Sequence, residues 1–380
     1  MRLADLRRTI FAMALPLALL GCAVNPGATA SSTTLMPTRS ESTSTTPAPS
    51  TTTTTTTPAV AETTARVAEP DPSTEAASGT LAAATEATSG TVALATELDG
   101  EIPADTPDPS LVQDGAVYLV YSTNTSSEQS GATYNVPVRA SFDLVHWTDS
   151  IDALPKLPQW AEEGYTWAPT VKKLNDTWVM YFAARDRSSG LECIGVATSR
   201  TSNGPFVSTS DEPAVCQTDL GGSIDPEIFV STNAGVWLLW KNDGNCCGRG
   251  TSIWAAPIEQ YGMVSPTSTR LLSATRSWQH GVIENPTLLE TSAGFLLLYS
   301  GGRWNDRTYG TGFALCSTLS EPCADASSQP MFDDSPGTYG SGGASLTTLD
   351  DGRVMMIWHA WNKQDVQRGR SARIARLLLT

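Results

Sequence analysis

The chain has 380 residues, of which 17% are charged, and a formal net charge of −15 at pH 7. So acidic a chain has no electrostatic basis for binding DNA, RNA or anionic lipid headgroups. A neutral partner suits it better.

At the N-terminus, Arg2, Arg7 and Arg8 precede an apolar run from Ile10 to Leu20. The run is too short to span a bilayer and has the layout of a secretory signal. It ends in Leu19-Leu20-Gly21-Cys22, which resembles the bacterial lipobox, where cleavage leaves the cysteine as a lipid-bearing N-terminus. Residues 1–22 are therefore expected to be a lipoprotein signal peptide and Cys22 the lipidation site. The mature protein is expected outside the cytoplasm, in the bacterial cell envelope or secreted, touching the membrane only through its lipid.

Residues 23–99 are mostly Ser, Thr, Ala and Pro, with an unbroken threonine run from Thr51 to Thr57. Such a stretch cannot bury enough apolar surface to offset its ordering entropy, so it reads as a disordered tether. Residues 100–380 are long enough for one folded domain.

Within that domain one short motif recurs. Asp108-Pro109, Trp167-Ala168-Pro169, Asp225-Pro226, Glu284-Asn285-Pro286 and Gly342-Gly343-Ala344 open successive segments. Asp108, Trp167, Asp225, Glu284 and Gly343 follow one another at intervals of 59, 58, 59 and 59 residues. A fixed period of this length marks a repeat architecture. After each motif comes an apolar run, a polar turn and a second apolar run rich in β-branched and aromatic residues, as in Val171–Leu174 followed by Thr177–Phe182. Each is a β-hairpin. Shorter runs such as Cys193–Ala197 and Gly312–Cys316 supply a third strand, and Gly204-Pro205-Phe206-Val207 a fourth. The expected fold is all-β, a five-bladed β-propeller with the motifs on its innermost strands, facing the axis.

Six cysteines fall in the domain. Six allow fifteen pairings, so spacing alone does not decide connectivity. Proximity favours Cys316 with Cys323 and Cys193 with Cys216, leaving Cys246 and Cys247 as a vicinal bond or as free thiols. A zinc site would require paired C-x-x-C spacing, which is missing.

Glycoside hydrolysis needs one carboxylic acid to protonate the leaving oxygen and one carboxylate to activate water. Asp108 and Glu284 can supply both, and Asp225 in the blade between them can raise the acid's pKa by like-charge repulsion. Asp-Pro is also a common turn opener. Three acids at one phase of three repeats are more than turns require.

These residues resemble glycoside hydrolase family 43, the five-bladed arabinanases, arabinofuranosidases and xylosidases. Asp108-Pro109-Ser110 looks like that family's general-base motif, Ser223-Ile224-Asp225-Pro226-Glu227 like its pKa-modulator motif, and Glu284-Asn285-Pro286 like its general-acid motif. Ser141-Phe142-Asp143-Leu144-Val145-His146-Trp147, Trp167-Ala168-Pro169 and Trp358-His359-Ala360-Trp361 are similar to further family signatures. Thr170 stands where the family often has aspartate. Gly343 stands where many members carry the histidine of a Gly-His pair that helps hold water or calcium near the axis.

The resemblance implies an inverting glycosidase acting, as a monomer, on arabinose- or xylose-containing oligo- or polysaccharides outside the cell. Asp108 would be the base, Glu284 the acid and Asp225 the modulator, while Trp167, Arg303 and His359 would contact substrate. No resident cofactor or metal is expected, an axial calcium ion being the one left open. The alternative is a sugar-binding propeller without turnover.

Overall fold

The computed structural model describes residues 92–94, 100–126, 131–208, 210–260, 263–332, 334, 337–362 and 369–379. The expected signal peptide, Cys22 and nearly all of the expected tether lie outside these residues.

Five antiparallel sheets of four or five strands follow one another along the described residues, besides one two-stranded ribbon. Their innermost strands are Ser110–Asp114, Ala161–Leu174, Ser223–Ser231, Ile283–Thr291 and Tyr339–Thr348. Each pairs with the strand that follows it: Val117–Tyr121, Thr177–Asp186, Gly235–Asn242, Gly294–Gly301 and Val354–Trp361. This is the expected five-bladed propeller.

The core lies between the blades, in five clusters that correspond to the five interfaces. The second strand of blade two shows why. Met180 and Phe182 point towards blade one, joining Leu119, Tyr121 and Val138. Val179 and Tyr181 point the other way and join Ile228, Leu238 and Trp240 of blade three. A strand buried on both faces must be apolar at consecutive positions, which is why these runs do not alternate. Each such fully buried side chain contributes about 1.5–3 kcal/mol.

Ring closure is the feature that the repeat period does not reveal. Blade five takes its inner strands from the C-terminal end, and the strand Gly100–Ile102 adds to Arg370–Leu379 at its outer edge. Ile102 enters the cluster between blades five and one with Leu111, Val120, Ile357 and Ile374. The strand Val92–Leu94 pairs with the same outer strand at Leu377, Leu378 and Leu379. The linker expected over 23–99 is therefore interrupted before its expected end. A three-residue apolar run was hidden by the polar composition around it.

Cys193 pairs with Cys216 and Cys316 with Cys323, as proximity favours, and Cys246 and Cys247, left open between a bond and free thiols, form a vicinal pair.

A chain beginning at Glu97 should therefore melt within a few degrees of the full chain. One beginning at Pro103 also loses Ile102, which is 1% exposed, and should lose about 2–5 kcal/mol by denaturant titration. Equal midpoints for the two truncations would contradict the closure.

Candidate active site

Each innermost strand is broken, or in blade one immediately preceded, at its motif by one residue in the left-handed region: Asp108 (φ 50°), Ala168 (φ 42°), Asp225 (φ 55°), Asn285 (φ 46°) and Gly343 (φ 61°). The first four precede proline, which disfavours the helical region for them. Left-handed backbone at a non-glycine residue costs on the order of 1–3 kcal/mol and needs support from its surroundings. The sheet register shifts at the same places, between Ile224 and Glu227, Glu284 and Thr287, and Gly342 and Ser345.

The kink frees the amide of the left-handed residue from its own sheet, and the preceding blade receives it. The N–H of Asp108 donates to Nδ1 of His359 (3.0 Å), that of Ala168 to Oγ1 of Thr123 (2.9 Å), that of Asn285 to Oδ2 of Asp225 (3.0 Å) and that of Gly343 to Oγ of Ser300 (2.8 Å).

This corrects the phase read from the spacing. Asp108, Asp225 and Gly343 are the left-handed residues, but Trp167 and Glu284 each stand one residue ahead of theirs. The left-handed five line a narrow axial void of about 20 Å³, together with Pro109, Pro169, Pro226 and Pro286. A separate cavity of about 430 Å³ is lined by Asp108, Asp225, Glu284 and Trp167. Its size is within the range of small-molecule sites.

Asp108 is held by its backbone bond to His359 and by the Thr123 hydroxyl, which donates to Oδ2 at 2.6 Å. The guanidinium of Arg370 stands 4.0 Å from Oδ1 and lies over the ring of Trp304. Glu284 accepts a hydrogen bond from Nζ of Lys241 at 2.8 Å, and Lys241 also reaches Asp243 at 3.4 Å.

Lys241 is 1% exposed. Burial acts to lower its pKa, but Glu284, Asp243 and Asp225 outweigh that and hold it above the ordinary lysine value. Asp225 is driven the other way. Burial first, then the negative charges of Glu284 and Asp108, push its carboxyl well above the usual range, against the pull of Lys241. Asp225 therefore keeps a proton where an exposed aspartate would have lost it.

His359 does not contact the cavity. It is fully buried, stacks on Tyr309 and fills the space that Gly343 leaves; a Cβ at Gly343 would lie 2.4 Å from its ring. Burial and Arg370 lower its pKa well below the histidine value, so the ring is neutral and presents Nδ1 as an acceptor. Likewise, a Cβ at Gly342 would strike the Tyr309 ring at 2.2 Å.

Arg303 is exposed and does not line the cavity; its loop turns the neighbouring Trp304 inwards instead. Trp167 is half-buried and lines the cavity. Lys241, Arg370, Thr123, Asp243 and Asn245 are cavity residues that the sequence reading did not single out.

Thr170 has its own partner. Its hydroxyl donates to Oε2 of Glu227 at 2.9 Å, and Thr287 donates to Oε1 at 3.2 Å, tying blades two, three and four together beneath the site. An aspartate at 170 would set two buried carboxyls against each other. The same bonds occupy both oxygens of Glu227, and the adjoining void is about the size of one water.

A family model described as "Glycosyl hydrolases family 43" matches residues 102–380. The chain belongs to that family. An extracellular exo-alpha-(1->5)-L-arabinofuranosidase of Streptomyces avermitilis is 26% identical over 213 residues, 53% of this chain and 44% of the relative, so the chain spans under half of that protein. A beta-D-galactofuranosidase of Aspergillus niger is 26% identical over 273 residues, 66% of this chain and 72% of that one. Among solved structures, a thermostable family-43 glycoside hydrolase superposes with a TM-score of 0.64 at 22% identity, covering 73% of this chain and 92% of that one.

Two stability measurements check the charge arrangement. Lys241→Met strands Glu284 and Asp243 without their cation and should cost about 3–5 kcal/mol at neutral pH, with the deficit shrinking as acid protonates the carboxyls. Asp225→Asn should act in the opposite sense. With its folded pKa raised, Asp225 contributes fully below the unfolded aspartate value of about 3.9, and its contribution is lost as pH rises through the folded value. The melting temperature of Asp225→Asn relative to the parent should therefore climb with pH, and a flat difference would contradict the raised pKa.

Proposed function

We propose that the protein is an inverting glycoside hydrolase acting on arabinofuranosyl-containing glycans outside the cell. The observation that carries this reading is the convergence of Asp108, Asp225 and Glu284, from blades one, three and four, on one cavity beside Trp167. Two similar proteins named for furanoside hydrolysis favour a furanosyl sugar over a xylosyl one.

In this mechanism Asp108, oriented by Thr123 and His359, takes a proton from the attacking water. Glu284 gives a proton to the glycosidic oxygen. Burial and the neighbouring carboxyls hold a proton on Asp225, and its passage to Glu284 arms the acid. Lys241 limits the negative charge that builds up when the proton departs. An inverting arrangement requires the base and acid carboxyls to be about 6.5–9.5 Å apart, leaving room for the water. Positions on the first and fourth blades suit that separation better than neighbouring positions would.

The disulfides favour an oxidising compartment. With the lipobox-like segment, they support export and anchoring through Cys22. A sugar-binding propeller without turnover is the alternative, and it leaves the proton held at Asp225 without a use.

Asp108→Ala and Glu284→Ala should each lower kcat by at least about a hundredfold on aryl α-L-arabinofuranosides. Asp225→Asn should lower kcat as well, because Glu284 then lacks the neighbouring carboxyl that supplies its proton. Proton NMR of the first-formed product should show the inverted anomer. Retention, or full activity in Asp108→Ala, would overturn the assignment.

A further inference from the structure

The vicinal pair Cys246–Cys247 has no part in the mechanism above, yet Cys246 lines the same cavity as the three acids. A disulfide stabilises a fold chiefly by closing a long loop in the unfolded chain. Here the sequence separation is 1, so the bond restrains almost nothing beyond its own two residues. Its effect must be local, on the surface that the pair presents.

That surface is firmly held. Gly244–Cys247 forms one turn of 3-10 helix directly after Asp243. The amide of Arg249 donates to the Gly244 carbonyl at 2.8 Å, and the guanidinium of Arg249 reaches the carbonyl of Asp219. Asn242 bridges the carbonyls of Leu220 and Gly250 from below, at 3.2 and 3.0 Å.

Beside its carboxyls and cations the cavity has an apolar part, lined by Trp167, Ile224, Trp304 and Cys246. A pentose ring presents C–H faces as well as hydroxyls, and those faces need apolar, polarisable partners. Bonded sulfur is polarisable and, unlike a thiol, brings no S–H donor.

We propose that the Cys246–Cys247 disulfide is a wall of the sugar site, packing against an apolar face of the bound furanose and setting its affinity. This rests on the glycan-hydrolysing reading above. The bond acts on binding, because its residues contact the sugar while the acids act on the glycosidic bond.

The test uses three proteins: the parent, a Cys246→Ala/Cys247→Ala variant, and the parent treated with a phosphine reductant and alkylated. Cys246 and Cys247 are exposed, whereas Cys193 and Cys316 are 0% and 2% exposed, so mild reduction should open the vicinal bond first. Mass spectrometry of alkylated peptides verifies this. KM for para-nitrophenyl α-L-arabinofuranoside and Kd for arabinotriose by calorimetry should each rise roughly tenfold, with kcat held within about threefold and the melting temperature unchanged. If the double variant does not fold, the reduced parent carries the test.

Unchanged KM and Kd with the bond verifiably open would overturn the wall. So would a fall in kcat at constant KM, which would make the loop act through Asp243 and Lys241. A parent that binds arabinotriose without turnover would overturn the hydrolase reading alone, and the Kd ratio would then decide the wall. A parent that binds none of these sugars would overturn both.

Discussion

Every later feature of this molecule depends on what happens to one backbone amide in each of four blades. A strand that ran straight through its motif would spend that N–H on its own sheet and point its side chains at the neighbouring blades. The left-handed residue ends the ladder and turns the chain, and the freed amide must then find a partner, since an unpaired buried N–H is costly. The partners lie on the preceding blade: His359, Thr123, Asp225 and Ser300. The kinks that expose the acids are therefore also the bonds that join the blades around the axis. Asp225 serves both purposes, carrying a cavity carboxyl and accepting the Asn285 amide.

The second constraint is charge. Four carboxyls, those of Asp108, Asp225, Asp243 and Glu284, share the cavity lining with two cations, Lys241 and Arg370. The imbalance is relieved by a proton on Asp225, the group that burial and repulsion push up. Apolar residues could not replace this arrangement without loss, because hydrolysis needs both a proton and a carboxylate in one place. The buried Lys241 is best understood in this way. An isolated buried lysine would lose its proton, but this one keeps it by standing between acids.

The repeat period made the fold legible because each blade must bury both faces, and the resulting apolar runs recur with the motifs. Proximity likewise pointed to the Cys193–Cys216 and Cys316–Cys323 pairs. The same period misled by one residue at Trp167 and Glu284, since equal spacing cannot distinguish the left-handed residue from its neighbour. The proline that follows that residue, as in Asn285-Pro286 and Ala168-Pro169, was the better marker. Lys241 and Arg370 went unnoticed because they sit on second and third strands, outside the motif phase. A signal for Lys241 did exist: a lysine ending the apolar run Val236–Trp240, in a strand buried on both faces. His359 was assigned to substrate because nothing in the sequence states that Gly343 leaves a space for it. The closing strand Gly100–Ile102 was not visible at all, as three residues pairing with 372–374 leave no pattern.

The central claim is that the cavity retains a proton on Asp225. Carbon-13 NMR of the protein labelled at its aspartate carboxyls, with Asp225→Asn used to assign the resonance, reads that proton directly. The account predicts that the Asp225 signal remains at the protonated position at neutral pH and moves towards the ionised position when Glu284 is replaced by Gln. A signal that titrates like that of an exposed aspartate, near pH 4, and is indifferent to Glu284, would contradict it.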